Sequence, residues 1–146
     1  MPQPPKNLTA QLLLEEEDFD RFSRSSLNSQ EACYKIIEPE TESVWGWVSI
    51  DNTQRGPGLG GIRMAQNLSL NEVRRLARVM TLKNSAACIP YGGGKAGLVL
   101  NDLAPFSDPK NRAILMGKFA DALFELEDYV PAPDMGTNEK DIQIIH

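Results

Sequence analysis

Lys83, Lys95 and Asp134 are the ionisable residues whose neighbours in the chain are least like those of an ordinary surface charge. Lys83 lies in MTLKNSA. At about a hundred degrees per residue, a helix through this stretch puts Val73, Leu76, Ala77, Met80, Asn84 and Ala87 on one face and Arg74, Arg75 and Arg78 on the other. Lys83 falls on the apolar side beside Leu76, where an ammonium must either snorkel to solvent or meet an anion in a cleft. Lys95 closes the run Gly92-Gly93-Gly94-Lys95. Three glycines let a substrate approach the main chain and the side chain that follows. A lysine held between a helix end and a buried strand loses hydration, and a second ammonium nearby acts in the same direction, so such an amine can serve as a base near neutral pH. The competing reading is a surface lysine in a flexible loop. Asp134, in PAPDMGT, supplies an acid in a turn between a predicted strand and a helix. Open α/β sheets bind ligands at such junctions, although an ordinary helix-capping aspartate fits the same position.

Other chemistries fare worse. GPGLGG satisfies G-x-G-x-x-G at Gly56, Gly58 and Gly61, but IRM and a polar turn intervene before any helix, whereas a dinucleotide turn leads straight into one. A tight bend, or a backbone that approaches a small ligand, explains these glycines equally well. A P-loop is excluded because Ile89 stands where its first glycine belongs and Ala96 follows the lysine in place of Ser or Thr. No G-x-S-x-G elbow and no paired Cys or His pattern for a metal is present, and the one histidine, His146, is the last residue.

A chain of 146 residues with 41% hydrophobic and 24% charged residues has the makings of one domain with a real core. Fifteen Lys and Arg against twenty Asp and Glu leave a net charge of −5, and no basic stripe offers itself to nucleic acid. Apolar runs are too short for a membrane span, and MPQPPKNLTAQ lacks the apolar stretch of a secretory signal, which points to the cytoplasm. In a reducing compartment Cys33 and Cys88 are expected to be free and buried.

The elements that must position the three charges follow from patterning. Residues 1–7 read as a frayed, Pro-rich terminus, and Leu8 to about Ser26 has a helical mix of Leu, Phe and acids. EACYKIIE and SVWGWVSID read as two strands that pair as a hairpin across Pro39 to Glu42. QRGPGLGG reads as a bend leading to a third strand, IRMA. Ser69 with Glu72 three residues on is a capping-box signature, so a long helix begins there and runs to about Cys88, where Pro90 stops it. YGGGK reads as a loop before the buried strand AGLVL. Asp108-Pro109 opens a helix to about Glu127, a strand follows near DYV, and Thr137 opens a last helix that has no stop signal, as if the natural polypeptide continued. Strands alternating with helices predict a three-layer α/β/α domain with a mixed, mostly parallel sheet.

The ordered series GPGLGGIRM, MTLKNSA, PYGGGKAG and PAPDMGT resembles the N-terminal substrate-binding and dimerisation domain of the glutamate, leucine, phenylalanine and valine dehydrogenases, over about residues 30 to 146. That resemblance implies reversible oxidative deamination of an L-amino acid to a 2-oxo acid and ammonia. It makes Lys95 the catalytic lysine, activating as a neutral amine the water that adds to the iminium left by hydride transfer to NAD or NADP. Asp134 would pass protons to and from the substrate nitrogen, and Lys83 would bind the α-carboxylate. Gly60, Gly61 and Ala132 would line the pocket and Met80 would touch the substrate. The family's nicotinamide-binding Rossmann domain has no counterpart in these residues, so this chain is expected to bind cofactor nowhere itself, to form a homodimer or higher homo-oligomer through its early strands, and not to turn over substrate alone.

Substrate class hangs on Leu59. By the resemblance, glutamate-specific members carry a lysine there to hold the side-chain carboxylate. A carboxylate buried without a partner costs several kcal/mol, so an apolar amino acid such as leucine, valine or phenylalanine is expected, with glutamate dehydrogenase as the alternative. A non-catalytic dimerisation or amino-acid-binding module is a further alternative. Retention of Lys83, Lys95 and Asp134 together favours the enzyme, and the enzyme reading requires both amines to lie within about one substrate's width of Asp134.

Overall fold

Alternating apolar residues in ACYKIIE and SVWGWVSI bury one face of each segment, and these become β2 (Ala32–Glu38) and β3 (Ser43–Asn52) of the computed structural model, paired antiparallel as the predicted hairpin. The structure describes residues 3–13 and 30–146. The other strands are β1 (Thr9–Leu12), β4 (Gly58–Ala65), β5 (Gly92–Val99) and β6 (Tyr129–Pro133); the helices are α1 (Leu70–Ala86), α2 (Pro109–Phe124) and α3 (Glu139–Ile145), with a 3-10 turn at Ala104–Ser107 that the sequence reading lacked. All six strands form one mixed sheet in the order β1-β2-β3-β5-β4-β6. Parallel pairing is confined to β4 with β5 and β4 with β6, while β1–β2, β2–β3 and β3–β5 are antiparallel. The parallel share is therefore smaller than the alternation of strands and helices suggests.

Strand alternation divides the core in two. Val48, Ile62 and Leu98 point to the face covered by α2, where they cluster with Leu115, Met116 and Phe119. Trp45, at the β2–β3 bulge, packs on Phe106, whereas Ser49 and Asp51 of β3, Leu59, Gly61 and Arg63 of β4 and Gly93, Lys95 and Gly97 of β5 lie on the opposite face, under α1. There the absence of a side chain matters most at Gly93, where a Cβ would run into the Thr81 hydroxyl and the Ala77 carbonyl. The glycine lets the helix close on the strand. Asp51 of β3, wholly buried, ties the same helix down by accepting from Thr81 Oγ1 at 2.5 Å and Arg78 Nη1 at 3.3 Å.

Several expectations are corrected. The segment after Leu8 is not helical where it is described: Thr9–Leu12 pairs with β2, and Leu8 is 3% exposed. Backbone pairing at a sheet edge outweighs local helix propensity here. Residues 14–29, the remainder of that predicted helix and the three that follow, lie outside the described residues. Nor is the opening stretch bare, since Pro5 is buried and the Lys6 N–H donates to Glu38 Oε1. The glycine bend ends at Pro57, and GLGG belongs to β4; likewise GGGK is not a loop but the first half of β5. Glycine in a sequence ordinarily signals a turn, whereas here it permits close approach of neighbouring backbone. Arg74, Arg75 and Arg78 do not make one face opposite the buried one: Arg74 is itself buried and donates to Gln30, Arg78 pairs with Asp51, and Arg75 is exposed. Cys88 is exposed rather than buried, at a left-handed φ of 55° just past the end of α1. Ser69 caps α1 as predicted, but Glu72 turns to Arg63 instead of completing the box. The box forms on α3, where Asn138 rather than Thr137 is the cap and Asp141 its partner.

Candidate functional site

Lys95 sits mid-strand in β5 on the α1 face, between Gly93 and Gly97. Ala77 and Thr81 of α1 rest on the first of these, and Val73 of α1 with Leu68 on the second. The helix thus lies over the lysine, which is only 4% exposed. Its ammonium does not go unpaired. Nζ donates to Asp134 Oδ2 at 2.6 Å, and Arg63 Nε of β4 donates to the same oxygen at 3.1 Å. Arg63 Nη1 in turn reaches Glu72 Oε1 of α1 at 3.0 Å.

Asp134 is placed by the turn that follows β6. Its N–H donates to Thr137 Oγ1, whose hydroxyl donates to the Ile62 carbonyl at 2.6 Å, and the Met64 N–H donates to the Met135 carbonyl. From the other side, Arg112 of α2 donates to the Gly136 carbonyl at 2.6 Å and grips Asp141 with two hydrogen bonds. The turn is fastened to β4 in front and to α2 behind. Partial burial alone would raise the Asp134 carboxyl, but the Lys95 hydrogen bond and charge, the Met135 N–H and Arg63 outweigh it and hold the acid below the usual carboxylate range.

Small residues make room for the pair. Gly61 is opposite Ala132 in the β4–β6 register, and a Cβ on Gly61 would press into the Asp134 Cβ and the Pro133 carbonyl. Leu59, two residues earlier in β4, shares this face and is half-buried. Gly60 faces the other way, where its carbonyl accepts from the buried Tyr129 hydroxyl at 2.7 Å. Burial, with the Asp134 charge adding to it, pushes the Tyr129 phenol far up, so it remains a neutral donor.

Of the predicted site residues, the structure brings together Lys95, Asp134, Gly61 and Ala132, with Leu59 on the same face of β4, while Gly60 faces away from them. Met80 is half-buried on α1. Lys83 does not join them by any hydrogen bond or ion pair among the described residues; it is exposed on the flank of α1 that also bears Leu76, Met80 and Glu72. Arg63 was missed. Its signal was available, because once GLGGIRMA is one strand, Leu59, Gly61 and Arg63 must share a face. A hollow of about 190 Å³ between Trp45, Leu100 and Phe106 is lined by Asp102 but by no cation, and it lies at the C-terminal end of β5, away from Lys95.

A buried amine hydrogen-bonded to a half-buried carboxylate, beside bare backbone, can exchange a proton with a small polar ligand and bind a carboxylate or carbonyl oxygen. The G-x-G-x-x-G match runs into β4 rather than a helix N-terminus, so no pyrophosphate cradle forms there.

Residues 31–146 match the family described as Glu/Leu/Phe/Val dehydrogenase, dimerisation domain. A glutamate dehydrogenase of Aeropyrum pernix is 35% identical over 107 residues, covering 71% of this chain and 25% of the relative. An NAD-specific glutamate dehydrogenase of Clostridioides difficile is 41% identical over 107 residues, with the same coverage of 71% and 25%. The crystal structure of glutamate dehydrogenase from Peptoniphilus asaccharolyticus superposes with a TM-score of 0.70 at 28% identity, over 88% of this chain and 35% of that one. The matched part of the chain thus spans about a quarter of the length of these curated relatives.

Proposed function

This chain belongs to the Glu/Leu/Phe/Val dehydrogenase family, and from that premise we propose that it is the substrate-binding part of an L-amino-acid dehydrogenase that interconverts an amino acid with its 2-oxo acid and ammonia, using NAD or NADP held outside these residues. The observation that carries the reading is the 2.6 Å contact between Lys95 Nζ and Asp134 Oδ2, buried under α1 beside Gly61 and Ala132. In this scheme Lys95 binds and activates the water or carbonyl oxygen at the substrate's C2, and Asp134 takes and returns the proton of the substrate nitrogen. Lys83 is assigned to the α-carboxylate. Its exposed side chain must then swing over the β4 side of α1 when substrate arrives.

Leu59 favours an apolar side chain, since a second carboxylate would find no cation at that position. Glutamate is the second reading, favoured by the relatives of that name. The early strands, with β1 at the free edge of the sheet, are assigned to a homodimer or larger homo-oligomer.

The test uses the isotope-labelled 146-residue chain titrated with 4-methyl-2-oxopentanoate and, separately, 2-oxoglutarate, with amide shifts followed by NMR. We expect shifts clustered at Gly60, Gly61, Lys95 and Asp134, saturating at lower concentration for the apolar acid. The reverse order moves the assignment to glutamate, and shifts scattered away from Lys95 refute the reading. Samples supplied with NAD or NADP and leucine, phenylalanine or glutamate should form no reduced cofactor, because half a cleft does not position a nicotinamide.

A further inference from the structure

Asp134 presents one oxygen, Oδ2, to two cations at once: Lys95 Nζ at 2.6 Å and Arg63 Nε at 3.1 Å. The two differ in kind. Lysine can shed its proton when the surroundings ask for it, whereas a guanidinium stays charged throughout the working range. If Lys95 alone held Asp134, an amine that became neutral would leave a half-buried carboxylate without its partner, and the acid would gain a proton or turn away. Arg63 removes that dependence. It is itself held, because Nη1 pairs with Glu72 of α1 at 3.0 Å, and its side chain is only 19% exposed.

We propose that Arg63 is a positioning residue of this pair: it fixes the Asp134 carboxylate in place through Oδ2 whichever protonation state the neighbouring amine adopts. The inference rests on the reading of Lys95 and Asp134 given above and adds a third member to their unit. Every charge that faces Asp134 enters into it. Lys95 approaches from β5 and Arg63 from β4, with Glu72 of α1 behind the guanidinium. The buried Tyr129 phenol of β6 lies on the far side of the sheet, and Asp141 of α3 is turned away into Arg112. Arg63 is thus the one permanent cation among the described residues in contact with the Asp134 carboxylate.

The test is a carbon-detected NMR titration of the Asp134 carboxyl in the intact 146-residue chain, from neutral to strongly acidic pH. Arg63→Gln is expected to move the midpoint up by about one unit, the shift that loss of an opposite charge at this range produces, with the amide spectrum otherwise preserved. Glu72→Gln keeps the cation and should leave the midpoint much closer to wild type. Arg63→Lys keeps the charge but cannot span both carboxylates, and a smaller upward shift is expected. Coincident titrations of wild type and Arg63→Gln overturn the proposal, as does a Glu72→Gln shift as large as that of Arg63→Gln. Should Arg63→Gln fail to fold, an unchanged midpoint in Arg63→Lys overturns it. Any of these results leaves the oxo-acid titration free to succeed, so the two readings fail separately.

Discussion

Lys95 and Asp134 act as one unit because each corrects the other's burial. The strand delivers the amine under α1, where it must be hydrogen-bonded, and the turn after β6 delivers the acceptor. Gly61 is the residue that lets them meet, since a methyl there would displace Asp134. Gly61→Ala is expected to lower stability by about 1–3 kcal/mol, the usual cost of forcing a group into filled space, and to weaken oxo-acid binding. Gly117→Ala is the control. Nothing lies within 4 Å of the Cβ it would add in the middle of α2, so it should raise stability by about 0.5–1 kcal/mol. Urea denaturation of the two variants separates a steric effect from the mere loss of a glycine. Lys95 and Asp134 were legible in the chain because their neighbours are unusual. Arg63 was not, because its role depends on extending β4 back through the glycines, and glycines ordinarily mark turns.

Elements were legible where a single local signal governs them. Ser69 and Asp108-Pro109 start α1 and α2, and the apolar alternation of β2 and β3 marks a hairpin. They were not legible where tertiary pairing decides, as in β1, which exists only because β2 offers an edge, and in Gly92–Gly94, which are extended because α1 and β4 close on them. α3 is held to α2 by Ile142 in the shared apolar cluster and by the Arg112–Asp141 pair, and the second of these should respond to pH. Burial alone would raise the Asp141 carboxyl, but the Arg112 hydrogen bond and charge and the Asn138 N–H bring it below the usual range. An acid lowered in the folded state stabilises the fold above its unfolded value, about 3.9, and loses that contribution as pH falls through the folded one. Wild type is therefore expected to exceed Asp141→Asn in urea midpoint near neutrality, with the gap closing only in strong acid. A gap that widened on acidification would contradict the assignment.

Across the whole domain, one sheet separates two kinds of interior. The α2 face is a hydrophobic cluster bordered by the Arg112–Asp141 pair, and the α1 face carries Asp51, Arg74, Arg78, Lys95 and Arg63 in paired arrangements. The first holds most of the buried apolar side chains and the second the candidate site. The β4–β6 pairing ends at Ile62 and Pro133, and the turn that follows carries Asp134 to Lys95 on the α1 face. On the function proposed above, the ligand of the Lys95–Asp134 pair is an amino or oxo acid. The side-chain nitrogen of Lys95, observed directly by NMR while 4-methyl-2-oxopentanoate is added, reports on this most simply. Its resonance should move in step with the Gly61 amide and saturate with it. A Lys95 resonance that stays fixed while other parts of the chain respond would contradict the account.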